Sequence, residues 1–328
     1  MITTRLIQGI ITSCIAMLLS QLLCASTLQD VRQKNFIDCG VHSSLPGFAI
    51  QSDQGWQGLE VDLCRAVAAA VLNDAQKVRF TPIASEQGYN LLQSGEIDLL
   101  VRHNEWTMLP DTALGLTFVT PWYYQEQAFI ARLEAGINQL SELSKKKICL
   151  YPGAEKSING LADSVKRIDF PSFGIAVKAF ENSQCDALPG EVSRLAIARL
   201  NFPSTIKTQL IVTDIAATPI APLIRQGDHE WFKIVRWTIY WLLNAENLGV
   251  TQTSIEQLKS DQHAFQIIKA ADLSGSAMGL DANWPIQVIR QTGNYAEIFD
   301  RHFGDYQLPR GANNLHHKGG LHFAPPIE

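Results

Sequence analysis

The side chains able to do chemistry are few and unevenly spaced. The stretch EWTMLPD at 105 to 111 sets a carboxylate, an indole and a hydroxyl side by side in Glu105, Trp106 and Thr107, and follows them with Pro110. Three histidines crowd the C-terminus in HHKGGLH, namely His316, His317 and His322. A metal ion could use such donors, although histidines in a polar tail usually face solvent. Six cysteines are present and none forms a CxxC pair, which argues against zinc ligation. No GxSxG elbow presents a serine, and there is neither a P-loop nor a GxGxxG turn, so hydrolysis by a serine nucleophile and nucleotide binding lack the residues they need. No cofactor motif stands out.

Those residues must be positioned by a chain of 328 residues that is 46% apolar and 18% charged, enough for one large or two medium cores, with two lobes the better fit. A net charge of -5 disfavours a nucleic-acid partner, whose phosphates would call for a clustered basic face. The N-terminus carries Arg5 and then an apolar stretch from Leu6 to Leu23 ending in small residues, the layout of a secretory signal peptide over residues 1–26. An uncleaved anchor is the alternative, but the stretch is short for a membrane span and contains Gln8, Ser13, Ser20 and Gln21. Leu23 is too large for the residue before a lipidated Cys24. Cleavage after Ala25 or Ser26 would leave 26 Lys+Arg against 32 Asp+Glu, or -6.

Cleavage also removes Cys14 and Cys24 and leaves Cys39, Cys64, Cys149 and Cys185. An even set in an oxidising compartment suggests two disulfides. Three connectivities are open; Cys39 with Cys64 and Cys149 with Cys185 keeps each bond inside one lobe, and four buried thiols are the plainer reading.

Short apolar runs alternate with helical patterns. FIDCGV (36–41), VRFTPI (78–83) and IDLLV (97–101) read as strands, with a helix carrying Leu63, Ala66, Val67, Ala70 and Val71 between the first two and another around Tyr89 to Gln93. KICLY (147–151), RIDF (167–170) and a helix from Ile175 to Glu181 repeat that grammar, which implies largely parallel sheets. Later, Trp231, Ile234, Val235, Thr238, Ile239, Leu242 and Leu243 share one face of a helix with Asp228 as its N-cap. Two such α/β units joined by two crossings would form a cleft, where small ligands bind.

Several segments together resemble one family. GLEVDLCRAVAAA (58–70), LQSGEIDLL (92–100), LIRQGDHEWFKIVRWTIYWLLNAENLGVT (223–251), GNYAEIFDRHFG (293–304) and KGGLHFAPP (318–326) look like the periplasmic general L-amino-acid-binding proteins of ABC importers, within solute-binding protein family 3. The four cysteines fall where that subfamily tends to have them. The resemblance implies an α/β, two-lobed periplasmic-binding-protein (Venus-flytrap) fold with two crossover segments. Lobe I would be residues 27–132 and 216–328, and lobe II 133–215, with hinges near Ala128 to Arg132 and Ile211 to Ala217. It further implies a monomeric periplasmic receptor that closes on an amino acid or related amine and passes it to an ABC permease in the inner membrane.

The same resemblance shows where this chain departs. The family stretch T-W-T-x-x-R supplies a hydroxyl and a carboxylate-binding arginine; here Glu105 replaces the hydroxyl, Trp106 and Thr107 remain, and Pro110 replaces the arginine. Losing one side of a buried charge pair costs about 2 to 5 kcal/mol, or roughly two to four decades of affinity. The family's G-T-T-T-E becomes Gly153-Ala154-Glu155-Lys156-Ser157, keeping backbone amides and losing hydroxyls. Its ammonium-binding aspartate corresponds to Glu191, one methylene longer. Three pockets have changed on a retained scaffold, which implies a cleft altered toward cationic or neutral ligands. Glu105 and Glu191 would be its anionic partners, Trp106 and Tyr89 its aromatic surfaces, and Arg102 a remaining positive group. Each aromatic has a packing role as its alternative, and Glu105 a solvated one.

Two rival classes use the same fold. A cyclohexadienyl-dehydratase-like enzyme would employ Glu191 as general acid, yet it too needs a carboxylate donor that Pro110 lacks. A sensor or partner-binding protein would have given up transport. The reading taken is a binding protein and not an enzyme.

Overall fold

The structure is a computed structural model that describes residues 26–84, 87–158, 165–213, 215–257 and 262–327. The expected signal peptide lies outside these residues except for Ser26, whose hydroxyl caps the helix Thr27–Lys34 at Gln29 N.

Two five-stranded sheets organise the chain. In the first, Val78–Ile83, Ile37–His42 and Leu99–Val101 run parallel, and Leu223–Arg225 and Leu116–Phe118 complete the order with antiparallel pairing. In the second, Lys166–Asp169, Lys147–Leu150 and Ala187–Glu191 run parallel, and Gln127–Arg132 and Thr208–Val212 complete it antiparallel. The βαβ grammar therefore yields the parallel half of each sheet. The antiparallel half comes from strands next to the crossings, where the chain leaves one sheet and returns beside its own exit.

That exit corrects one expected boundary. Gln127–Arg132 is buried along its whole length and pairs on both edges inside the second sheet, so the first crossing lies at about residue 126 and not after Arg132. The run QAFIAR is apolar on both faces because helices or strands cover it on each side, as a central strand requires. The crossings themselves form a two-stranded antiparallel ladder, Tyr123–Gln125 against Thr218–Ile220.

The amphipathic helix forms as its spacing predicts. It spans His229–Asn247, Asp228 accepts from Trp231 N at 3.0 Å, and the whole expected face is buried. Four buried indoles each give their N–H to a carbonyl: Trp122 to Leu59, Trp231 to Asp98, Trp241 to Pro285 and Trp284 to Ala271. Both expected disulfides are present, Cys39–Cys64 with Cα atoms 6.3 Å apart and Cys149–Cys185 with 5.6 Å, one in each sheet unit.

The C-terminal segment returns to the crossing. The Asn313 side chain accepts from Tyr124 N at 2.7 Å and donates to Tyr124 O at 2.9 Å, while Glu126 accepts from Ala312 N. His322 is buried against the Tyr295 hydroxyl at 2.9 Å, and Tyr295 donates to Trp122 O. Among the described residues no three metal-ligating side chains converge.

Asp62, buried on the helix Leu59–Leu72, binds Arg65 at 3.0 Å, Arg301 at 2.6 Å and His302 at 2.7 Å, and so ties that helix to Tyr295–Phe303. Burial alone would push its carboxyl up, but the His302 hydrogen bond and the charges of His302, Arg301 and Arg65 together hold it below the ordinary range. Its contribution is therefore present above the ordinary aspartate pKa and lost as pH falls through the depressed folded value. Asp62→Ala should cost about 3 kcal/mol in denaturant unfolding, since it strands two cations. A loss below about 1 kcal/mol would show that the network does not hold these helices together.

Candidate functional site

Of the expected site residues, Glu105 and Glu191 come within electrostatic reach of each other where the two sheet units meet beside the crossing, and only Glu191 of the nine lines the cavity there. Glu105 forms an isolated bridge with Ile220, and Trp106 N donates to Pro219 O at 2.8 Å, so EWT is stitched to the returning crossover strand. Thr107 precedes a short helix, Met108–Ala113, and is exposed. Pro110 sits in its first turn, where a missing N–H breaks no helical hydrogen bond.

Trp106 and Tyr89 are half-buried and pack against the small core of Ile83, Leu92, Leu100 and Phe118, with Trp106 stacked on Phe118 at 5.4 Å. Arg102 is engaged too: it donates to Ile83 O at 2.9 Å and Ala84 O at 3.0 Å, fastening the end of that strand.

Glu105 has a partner that the sequence reading missed. Lys156, on the short helix Glu155–Ile158 of the second unit, places Nζ 2.6 Å from both carboxylate oxygens. The reversed charge expected at Glu105 is thus balanced from across the cleft. Glu155 uses its own carboxylate to accept from Gly153 N at 2.8 Å, taking one of the amides expected to remain open, and Ala154 is buried.

Glu191 ends its strand at the start of the helix Val192–Leu200. Burial pushes its carboxyl up; Arg194 pulls it back, Glu105 adds to the rise and Lys156 opposes it. Beside it a cavity of about 510 Å³ opens between Leu45, Pro46 and Phe48 of the first unit and the helices Phe173–Glu181 and Val192–Leu200 of the second.

Beneath the cleft lies a buried polar group that was also missed. Glu60 Oε1 is 3.7 Å from His103 Nδ1, a distance open to an ion pair, while burial favours the neutral form of each. Burial pushes Glu60 up to about 8 against hydrogen bonds from the His42 and His103 amides, and burial holds His103 down to about 4 despite its bond to Gln125. His103 meets the Gln125 amide at 3.2 Å, and Gln125 accepts from Ser193 Oγ of the second unit at 3.4 Å. An acid in the first turn of a helix is ordinary in sequence, so nothing in the order of residues marks Glu60 as inward-facing.

Residues 37–305 match the model of the bacterial extracellular solute-binding proteins, family 3. The chain belongs to this family. It is 37% identical over 318 residues to the general L-amino acid-binding periplasmic protein of Rhizobium johnstonii, covering 92% of this chain and 93% of that one. It is 35% identical over 317 residues to the glutamate/glutamine/aspartate/asparagine-binding protein of Rhodobacter capsulatus, covering 92% and 94%. Among solved structures, a periplasmic binding protein from Brucella ovis with glutathione bound superposes with a TM-score of 0.76 at 36% identity, covering 93% of this chain and 100% of that one. The Venus-flytrap fold expected from the resemblance is therefore the fold of this chain, with one sheet in each lobe.

Glu105 and Lys156 have side chains 37% and 57% exposed, so their pair is worth under about 1 kcal/mol of stability. Lys156→Gln should leave unfolding free energy within that margin while increasing the ligand-free radius of gyration in small-angle scattering. Unchanged compactness would show that the pair does not hold the lobes together. Glu60, whose folded pKa is raised, favours the fold most when protonated, so stability should decline as pH rises from about 4.5 through about 8. Glu60→Gln should flatten that alkaline decline in pH-dependent thermal unfolding.

Proposed function

We propose that this protein is the periplasmic receptor of an amino-acid-type ABC importer, working as a monomer that passes its ligand to an inner-membrane permease. The observation that carries the reading is family membership across the two lobes, joined to a ligand-sized cavity between them. The relatives at about 35% identity are named as binding proteins for amino acids. The dehydratase reading shares only the fold with this chain, and fold alone does not carry an activity.

The cleft is altered in this reading. Pro110 withdraws the arginine fork, Ala154 and Glu155 replace hydroxyls, and Glu105 is neutralised by Lys156. Glu191 is then the anion left for a ligand amino group, with Tyr89, Arg102, Trp106 and Thr107 supporting the cleft from the first lobe. Net-neutral or cationic ligands are favoured, and ligands with an extra carboxylate are disfavoured.

The test is thermal unfolding of the protein, refolded to strip bound ligand, against L-amino acids, polyamines, quaternary amines, small organic acids and glutathione. A ligand at about a thousand times its Kd adds roughly 4 kcal/mol, a shift of several degrees. Response to neutral or cationic solutes supports the altered cleft, preference for acidic amino acids overturns it, and silence overturns the receptor reading. Pro110→Arg with Glu105→Thr should strengthen binding of L-glutamate by about tenfold or more. No gain would count against the correspondence between Pro110 and the family arginine.

A further inference from the structure

Three charged groups, Arg194, Glu105 and Lys156, act on the Glu191 carboxyl, and of these four only Glu105 and Lys156 satisfy each other. Glu105 and Lys156 close a direct ion pair. The Glu191 carboxylate receives no hydrogen bond from a described residue and has no cation within salt-bridge distance among them. Arg194 lines the same cavity, stacks its guanidinium over the Phe173 ring at 5.1 Å and lies beside the Tyr151 hydroxyl, with no carboxylate in salt-bridge contact among the described residues. Lys178 and Glu181, also at this cavity, pair with each other at 2.7 Å. One anion and one cation are therefore left facing the same space, three residues apart in sequence across the start of one helix.

That space is mainly apolar. Leu45, Pro46 and Phe48 wall it from one lobe and Phe173, Val177 and Ile197 from the other. The first wall is fixed: the Phe48 ring packs edge-on to His103 at 4.4 Å and to Tyr123 at 4.9 Å, and Gly47 turns at φ 78 where a Cβ would strike Phe303. About 510 Å³ is within the range of small-molecule sites and larger than a short side chain would fill.

We propose that this cavity holds a zwitterionic amino acid with a bulky apolar side chain, its ammonium on Glu191, its carboxylate on Arg194 and its side chain between the Leu45 to Phe48 loop and the two facing helices. The carboxylate donor thus comes from the second lobe, in place of the fork that Pro110 lacks. The ligand's two charges complete the neutrality that the Glu105–Lys156 pair has established around it, while an acidic or basic side chain would put an unpaired charge against apolar walls. This inference rests on the receptor reading and names its substrate class.

The test measures calorimetric binding of L-leucine, L-phenylalanine, L-alanine, L-leucinamide, L-glutamate, L-lysine and glutathione to the refolded protein and to Arg194→Gln. Leucine and phenylalanine should bind tightest, with alanine about tenfold or more weaker because it leaves the walls unfilled. Leucinamide, which lacks the carboxylate, should bind about 30-fold or more weakly than leucine. Arg194→Gln should weaken leucine by a similar factor and leucinamide by less than about threefold, a split that a purely structural role of Arg194 would not produce. Equal binding of leucine and leucinamide, equal losses for both in the variant, or tighter binding of glutamate, lysine or glutathione would overturn the substrate class and leave the receptor reading intact. No binding by any of the seven solutes to the unmodified protein would overturn both.

Discussion

Both lobes depend on a short antiparallel ladder, Tyr123–Gln125 against Thr218–Ile220. Because the outgoing and returning chains pair with each other, neither lobe can shift without moving residues that the other lobe also uses. Glu105 and Trp106 are bonded to the returning strand, Gln125 of the outgoing strand meets both His103 and Ser193, and Asn313 pairs with Tyr124 from the C-terminal side. The ladder is therefore the place where both walls of the cleft and the C-terminal segment are registered against one another.

Charge balance is the second constraint. A cleft that shuts around a ligand removes water from whatever charges it contains, so each must find an opposite or lose its charge. This chain uses both solutions at different depths. Near the mouth, Glu105 and Lys156 neutralise each other across the lobes. Deeper, Glu60 and His103 are both held in their neutral forms by burial. The carboxylate of Glu105 thus meets a lysine on the opposite lobe, and the pair leaves the mouth without a strong net charge.

Local structure was legible in the sequence wherever a period was strong. The face from Trp231 to Leu243, its Asp228 cap and the strand VRFTPI appear as their spacing implies, because a 3.6-residue or extended apolar pattern has few other places to go. The disulfide pairing followed from keeping each bond within one lobe. QAFIAR was misplaced because a strand buried on both faces carries no alternation to show which sheet owns it. Lys156 and the Glu60–His103 contact were missed for a different reason. Both join residues far apart in the chain, and a single charge in a first helical turn looks the same whether it caps the helix, faces water or points inward.

The two lobes differ in how they are threaded. The second sheet is drawn from one continuous stretch between Gln127 and Val212, whereas the first needs Leu223–Arg225, the helix His229–Asn247 and the C-terminal return of Asn313 to Tyr124, 189 residues away. For a polypeptide that emerges N-terminus first, the second lobe has every strand it needs while the first still waits for its last contacts. The half that lacks its partners longest is the half carrying Ile37–His42 and Leu59–Leu72, whose apolar surfaces the late segments cover. Folding of the first lobe is thus bound to the later part of the chain, and a molecule truncated before His229 would present an assembled second lobe attached to a first one lacking the helices that cover Leu59–Leu72.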